Sequence, residues 1–316
     1  MKIDLSVKIG PLLLPNPVGV ASGTFGYGSE YEALMNLSEL GAIYTKAVTP
    51  EPRQGNDVPR IVETPAGMLN SIGLANPGLE AFIADKLPGL AALGTRVIVN
   101  VAGSSVADYL AVVEGLETAA GPWSAKGGGG GVDGYEINVS CPNVAHGGLA
   151  FGTDPAQVET LTATLRRLTK RALIVKLTPN VADIGLIAKA AEAGGADAVS
   201  CINTLVGMVI DTRTKRPVLA RGTGGLSGPA VRPVGVACVY RASRAVSIPV
   251  IGLGGIGCAD DALQYLLAGA SAVQVGTATF VDPRAPLETL RGLAAWMEAE
   301  AVESVDAIRR LLTKLP

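Results

Sequence analysis

An amide and a thiol stand close together at Asn138 and Cys141, inside the stretch Gly134-Tyr135-Glu136-Ile137-Asn138-Val139-Ser140-Cys141-Pro142-Asn143. An asparagine side chain offers paired donors and acceptors to a planar ligand. A thiol has an ordinary pKa of about 8.5, lower beside cations, so Cys141 can take a proton without a histidine. Tyr135, Ile137 and Val139 alternate with polar neighbours, the period of a strand, and Pro142 forbids further pairing. The chemistry therefore sits where a strand stops. Read alone, the same residues also describe a strand end whose free cysteine is buried as a small hydrophobe.

Other strand ends bear on that choice. Short apolar strands are expected over 18–21, 42–48, 96–101, from Gly134, and over 172–177, 198–202, 249–253 and 271–275, with helices between most of them. Strands this short and this apolar suit a parallel sheet buried on both faces. Eight such units point to a closed (β/α)8 barrel, whose active site lies at the strand ends. A doubly wound open sheet is the alternative, but no Gly-x-Gly-x-x-Gly follows the first strand. The strand ends read Ser22, Lys46, Asn100, Asn138, Lys176, Asn203-Thr204, Gly254-Gly255 and Gly276-Thr277.

Lys46 and Lys176 each interrupt an apolar strand, and buried lysines need partners. Few carboxylates lie nearby in sequence, so a bound anion is expected to satisfy them. The glycines closing the last two strands are either turn residues or a phosphate cradle of backbone N–H groups. A phosphate, a heterocycle held by asparagines and two lysines together suggest FMN, with a second planar anion as substrate. The loop after Cys141 carries Gly147, Gly148 and Gly152 and reads as a lid; His146 lies within it with no assigned role.

The remaining chain reads as support. Residues 3–14 form a hairpin, and helices are expected over 30–37, from Pro77-Gly78, and over 106–116, 153–170, 182–193, 231–246, 260–268 and from Leu287 onward. Residues 50–74 are a Pro-rich excursion, and 204–228 a long loop. Gly121 to Gly131, with five consecutive glycines, reads as a surface insert rather than a phosphate loop.

A chain of 316 residues with 48% apolar and 17% charged residues can bury a large core. A net charge of −2 with no basic block makes nucleic acid and anionic membrane poor partners. The four cysteines, Cys141, Cys201, Cys238 and Cys258, show no CxxC, so a cytoplasmic protein without disulfides or a metal centre is expected. With His146 as the one histidine, a His-based triad has little to draw on.

The chain resembles the class 1 dihydroorotate dehydrogenases, and most resembles the class 1B catalytic subunits. The matching segments are residues 21–28, Asn70-Ser71-Ile72-Gly73-Leu74, Ile137-Asn138-Val139-Ser140-Cys141-Pro142-Asn143, 150–155, 175–180, Asn203-Thr204, Gly224-Gly225-Leu226-Ser227-Gly228-Pro229 and the two glycine strand ends. They run through essentially the whole chain in order, which implies a single FMN-binding barrel domain over residues 1–316. The resemblance implies oxidation of (S)-dihydroorotate to orotate in pyrimidine synthesis. Cys141 matches the family's base, which takes a proton from substrate C5 while hydride passes from C6 to flavin N5. Lys46, Asn70, Ser71, Ile72, Gly73, Leu74, Asn138, Asn203 and Thr204 match substrate-binding positions. Ser22, Lys46, Ala47, Asn100, Asn138, Lys176, Ile202, Gly228, Gly254, Gly255, Gly276 and Thr277 match flavin-binding positions.

The class 1B pattern implies a homodimeric core joined to a subunit carrying FAD and a 2Fe–2S cluster, a heterotetramer that passes electrons to NAD+. Cys141 rather than serine, and no membrane-associated N-terminal extension, argue against a quinone acceptor. A fumarate-linked class 1A enzyme, a flavin enzyme acting on another pyrimidine and a non-catalytic phosphate-binding barrel are the alternatives. Two departures stand out. The insert before the fourth strand is longer than relatives usually carry, though at the end of the strand away from the site. Ala145 stands where relatives often have lysine.

Overall fold

The computed structural model describes residues 3–124, 130–140 and 151–312. Cys141, Pro142, Asn143, Ala145, His146, Gly147 and Gly148 lie outside the described residues, as do 125–129 of the insert.

Eight parallel strands close into a barrel in chain order: Val18–Val20, Ala42–Tyr44, Arg96–Val101, Gly134–Asn138, Ala172–Leu177, Ala198–Cys201, Val250–Leu253 and Ala272–Val275. The fifth and sixth strands pair as Val175↔Val199, and the eighth returns to the first as Gln274↔Gly19, so the sheet has no open edge. The fourth strand shows how the sequence is used. Tyr135 and Ile137 belong to the main apolar core, and the Tyr135 hydroxyl donates to Glu117 at 2.8 Å on the helix Val106–Ala120. Glu136 and Asn138 alternate with them and so face the barrel interior. The usual pattern of a half-exposed strand is thus inverted: the apolar face turns outward, because helices cover it.

Helix starts follow local chemistry. Ser105 and Asp108 form a reciprocal capping box on Val106–Ala120, and Asp154 caps Pro155–Leu168 with proline in its first turn. Asp183 caps Ile184–Ala193 in the same way. The helix expected over 30–37 is absent. Two 3-10 turns, Ser29–Tyr31 and Leu37–Glu39, take its place. Eight residues are too few to nucleate a helix on their own, and Asn36 accepts from Ser38 N, capping a new turn where the helix would continue. Tyr31 instead stacks on Phe25 at 3.9 Å. Downstream, Leu79–Ala81 and Leu87–Ala92 join through a π turn, Phe82–Lys86, which ends two residues before Pro88, whose missing N–H such a turn accommodates.

The excursion and the long loop are also more ordered than expected. Ile61–Thr64 and Gly67–Asn70 form a hairpin, and Leu205–Met208 and Thr223–Ser227 add to it as an antiparallel four-stranded sheet. Gly225 pairs with Asn70, so this sheet ties the 70–74 segment to the chain leaving the sixth barrel strand. The N-terminal hairpin is shorter than the expected 3–14: Val7–Ile9 pairs with Leu12–Leu14, and Asp4 bridges to Ser304 instead.

At the other end, Arg171 is fully buried just before the fifth strand. It donates through Nε to Glu117 at 3.0 Å, through Nη1 to the Val132 carbonyl at 2.6 Å and through Nη2 to the Gly121 carbonyl at 2.6 Å. One side chain thereby holds both feet of the glycine-rich insert. Among the described residues, no helix is long and apolar enough to cross a membrane, and no cluster of potential metal ligands occurs.

Candidate active site

The barrel interior carries a polar layer centred on Glu136, which is fully buried. Its Oε2 accepts from Asn100 Nδ2 at 2.6 Å and Lys176 Nζ at 3.4 Å. Its Oε1 accepts from Ser200 Oγ at 2.8 Å and Gln274 Nε2 at 2.9 Å. Donors therefore arrive from the third, fifth, sixth and eighth strands. Tyr44, from the second, is buried beside them, with room for its ring made by Gly19, where a Cβ would lie 3.0 Å from it. Burial, reinforced by the charge of Glu136, pushes the Tyr44 phenol up, so it stays neutral.

This arrangement corrects one expectation. Lys176 was expected to lack a carboxylate partner within the protein, yet Glu136 supplies one. Lys176 also donates to Ser22 Oγ at 3.2 Å. Lys46 differs: it lies beyond the second strand rather than inside it, is half-buried, and forms no ion pair among the described residues. Of the two lysines, only Lys46 is thus left for a ligand's negative charge. Ala47 follows it, buried.

Above the polar layer, Asn138 ends the fourth strand and Asn203 follows the sixth. Asn203 Nδ2 donates to Asn138 Oδ1 at 3.2 Å, and Asn203 Oδ1 accepts from Thr204 N at 2.8 Å. Ser140 N also donates to Asn138 Oδ1, at 3.3 Å, and the Asn138 carbonyl accepts from Tyr109 at 2.8 Å. The Asn138 amide is therefore held through its oxygen by two donors, while Tyr109 anchors the main chain that carries it. Ile202 is buried beside this pair, and Asn203 N is tied to Leu177 O at 2.9 Å. Both ends of the Cys141 loop are close, since Gly152 N donates to Val139 O at 2.9 Å.

The glycine rim is crowded in a way that requires glycine. Gly254 and Gly255 take φ of +125° and +69°, and a Cβ on Gly255 would lie 2.7 Å from the Gly228 carbonyl. Gly228 in turn abuts Gly67, whose Cα would sit 2.6 Å from an added Cβ. Thr277, next to Gly276 after the eighth strand, donates to Ser227 Oγ at 2.8 Å. Three loops thus meet as bare backbone. The 70–74 segment is held from outside by asparagines: Asn56 donates to Ser71 at 3.0 Å and to its carbonyl at 3.0 Å, and accommodates Gly73. Asn56 N donates to the Ile72 carbonyl, and Asn76 Nδ2 donates to the Leu74 carbonyl at 2.7 Å. Leu74 has φ of +57°, a strained choice for leucine that such restraints maintain. Asn70 itself donates to Gly225 O at 3.2 Å.

Hydrogen bonds thus join Asn100 and Lys176 through Glu136, join Ser22 to Lys176, join Asn138 to Asn203, and join Asn70 to the Gly225 carbonyl. They do not link Lys46 to any of these groups. Sequence reasoning missed Glu136, Ser200, Gln274 and Tyr44. Glu136 had a signal: it lies two residues before Asn138 and so shares its face.

The donor set fits FMN. The Asn100 nitrogen is committed to a carboxylate, so its oxygen must face the other way, and that buried Oδ1 has no partner among the described residues. An acceptor held in that state suits the single N–H edge of an isoalloxazine. The side-chain-free loops at Gly228, Gly254 and Gly255 suit a phosphate.

Comparison with known proteins agrees. The family model described as dihydroorotate dehydrogenase matches residues 4–297. A protein of Pelobacter propionicus named dihydroorotate dehydrogenase B (NAD(+)), catalytic subunit, is 51% identical over 97% of this chain and 97% of its own. A protein of the same name from Alkaliphilus oremlandii is 50% identical over 96% of this chain and 97% of its own. A relative from Solibacter usitatus, 49% identical over 96% of each chain, carries the provisional name dihydroorotate dehydrogenase A (fumarate). With a closed eight-stranded barrel, an interior fitted to a flavin and half-identity along nearly the whole of these chains, the protein belongs to the dihydroorotate dehydrogenase family.

Proposed function

We propose that the chain, as one FMN-binding barrel domain, is the catalytic subunit of an NAD+-linked dihydroorotate dehydrogenase, oxidising (S)-dihydroorotate to orotate on the route to UMP. The observation that carries this reading is the joined Asn138–Asn203 pair, fixed at the rim three residues before Cys141. Two hydrogen-bonded amides suit a pyrimidine ring that presents both N–H and C=O groups. Asn70, Ser71, Ile72, Gly73, Leu74 and Thr204 complete the substrate side, and Lys46 binds the substrate carboxylate. Ser22, Ala47, Asn100, Lys176 and Ile202 face the flavin, and Gly228, Gly254, Gly255, Gly276 and Thr277 surround its phosphate. FMN, when bound, would supply the acceptor for the hydride that leaves C6. Cys141 takes the proton from C5, so the C5–C6 double bond forms as one hydride and one proton leave.

The electrons then pass to NAD+ through a partner subunit with FAD and a 2Fe–2S cluster, in a heterotetramer around a homodimer. The words "catalytic subunit" in the Pelobacter and Alkaliphilus names support a partner. The free thiols of Cys201, Cys238 and Cys258 support a cytoplasmic setting. The Solibacter name favours a second reading, fumarate as acceptor.

The purified protein is expected to be yellow, and anaerobic dihydroorotate to bleach it. A protein that cannot be reconstituted with FMN, or one that dihydroorotate leaves oxidised, would refute the assignment. Reoxidation by fumarate in the isolated chain would select the second reading. Lys46→Ala is expected to raise the orotate dissociation constant by about tenfold to a hundredfold, the usual worth of a hydrogen bond to a charged group. The check is the flavin difference spectrum on titration with orotate; equal affinity in both proteins would place the carboxylate elsewhere.

A further inference from the structure

Glu136 stands apart from the residues that meet the ligands. It lies one inward-facing position deeper than Asn138 and is fully buried. An ionised carboxylate has about four acceptor sites, and Asn100, Lys176, Ser200 and Gln274 fill them. Gln274, like Asn100, turns a buried oxygen away from the carboxylate with no partner among the described residues, and the donors read as facing the flavin are Asn100 and Lys176. Asn100 must turn its oxygen away from Glu136, leaving it buried without a partner among the described residues. Lys176 is anchored between Glu136 and Ser22, which uses two of its three N–H donors. Ser200 and Gln274 hold the carboxylate from its far oxygen, at 2.8 Å and 2.9 Å.

We propose that Glu136 is a positioning residue for FMN: it sets the orientation of the Asn100 amide and the Lys176 ammonium, and its charge offsets that of the lysine. FMN then meets a fixed acceptor and a fixed donor with little net positive charge. This rests on the reading of Asn100 and Lys176 as flavin-contacting residues. A carboxylate that only plugged the barrel would affect stability alone. One that acts as proposed also sets the flavin's redox properties, because reduction adds negative charge and an uncompensated ammonium nearby favours it.

The test uses the FMN-loaded protein. In Glu136→Gln the flavin midpoint potential, measured by equilibration with a reference dye, is expected to move to more positive values. An unchanged potential at full FMN occupancy would overturn the proposal, whatever happens to the melting temperature. Should the glutamine variant fail to fold, Glu136→Asp keeps the charge but withdraws it from Asn100 and Lys176. Its FMN dissociation constant, read by flavin fluorescence, is expected to rise about tenfold, and a wild-type value would overturn the proposal. Wild-type protein that binds no FMN is a separate result, which defeats the flavin reading itself and this inference with it.

Discussion

Cys141→Ser is expected to slow flavin reduction by dihydroorotate about a hundredfold to ten-thousandfold near neutral pH, the range lost when a positioned base is removed, while orotate still binds. A serine hydroxyl is far less acidic than a thiol and has no histidine beside it in sequence other than His146 to activate it. The substrate-binding amides, Asn138 and Asn203, are fixed by each other and by backbone groups. They do not depend on the thiol, so binding and chemistry should separate. Anaerobic rapid mixing, following flavin absorbance, measures the first, and orotate titration the second. A reduction rate equal to wild type would remove Cys141 from the mechanism. Loss of orotate binding together with the rate would mean that the substitution had disturbed the rim instead.

The second large effect lies at the opposite end of the barrel. Arg171→Ala is expected to cost about 3–5 kcal/mol of folding stability, as when one partner of a buried ion pair is removed. The substitution strips the Gly121 and Val132 carbonyls of their donor and leaves a cavity where the fully buried guanidinium stood. Glu117 fares better, because it retains Tyr135 and Thr169 as donors and its side chain is 24% exposed. Since such domains are stable by only about 5–15 kcal/mol in all, chemical denaturation should register the change plainly. A loss below about 1 kcal/mol would show that the insert's feet hold without Arg171. FMN affinity of the folded variant should match wild type, because the arginine precedes the fifth strand and the flavin residues lie at or toward the opposite ends of the strands.

The barrel was legible because buried parallel strands write themselves as short apolar runs. The ends Asn138 and Gly254-Gly255 are legible as one rim, whereas Asn100 and Lys176 sit a layer deeper, on Glu136. What escaped was non-local. Gly67–Asn70 meets Thr223–Ser227 across a long stretch of intervening chain, and neither segment signals the other. Glu136 escaped for a different reason: alternation alone does not say which face of a strand meets the ligand. In a barrel the helices claim the apolar face, and the polar residues between are the interior. The expected helix at 30–37 failed through length and a competing cap at Asn36. Cys141, the most chemically suggestive residue of the sequence, lies outside the described residues, and its role rests on chain position beside Asn138.

The grip of Arg171 on both feet of the glycine-rich insert has a practical side. With its ends already fixed, added length between them should cost little, since each doubling of loop length adds only about 0.6 kcal/mol. A reporter peptide or an immobilisation tag spliced between Gly121 and Gly131 would therefore sit at the floor of the barrel. The enzyme could be tethered to an electrode or a bead by that point with its substrate entrance turned to the solution.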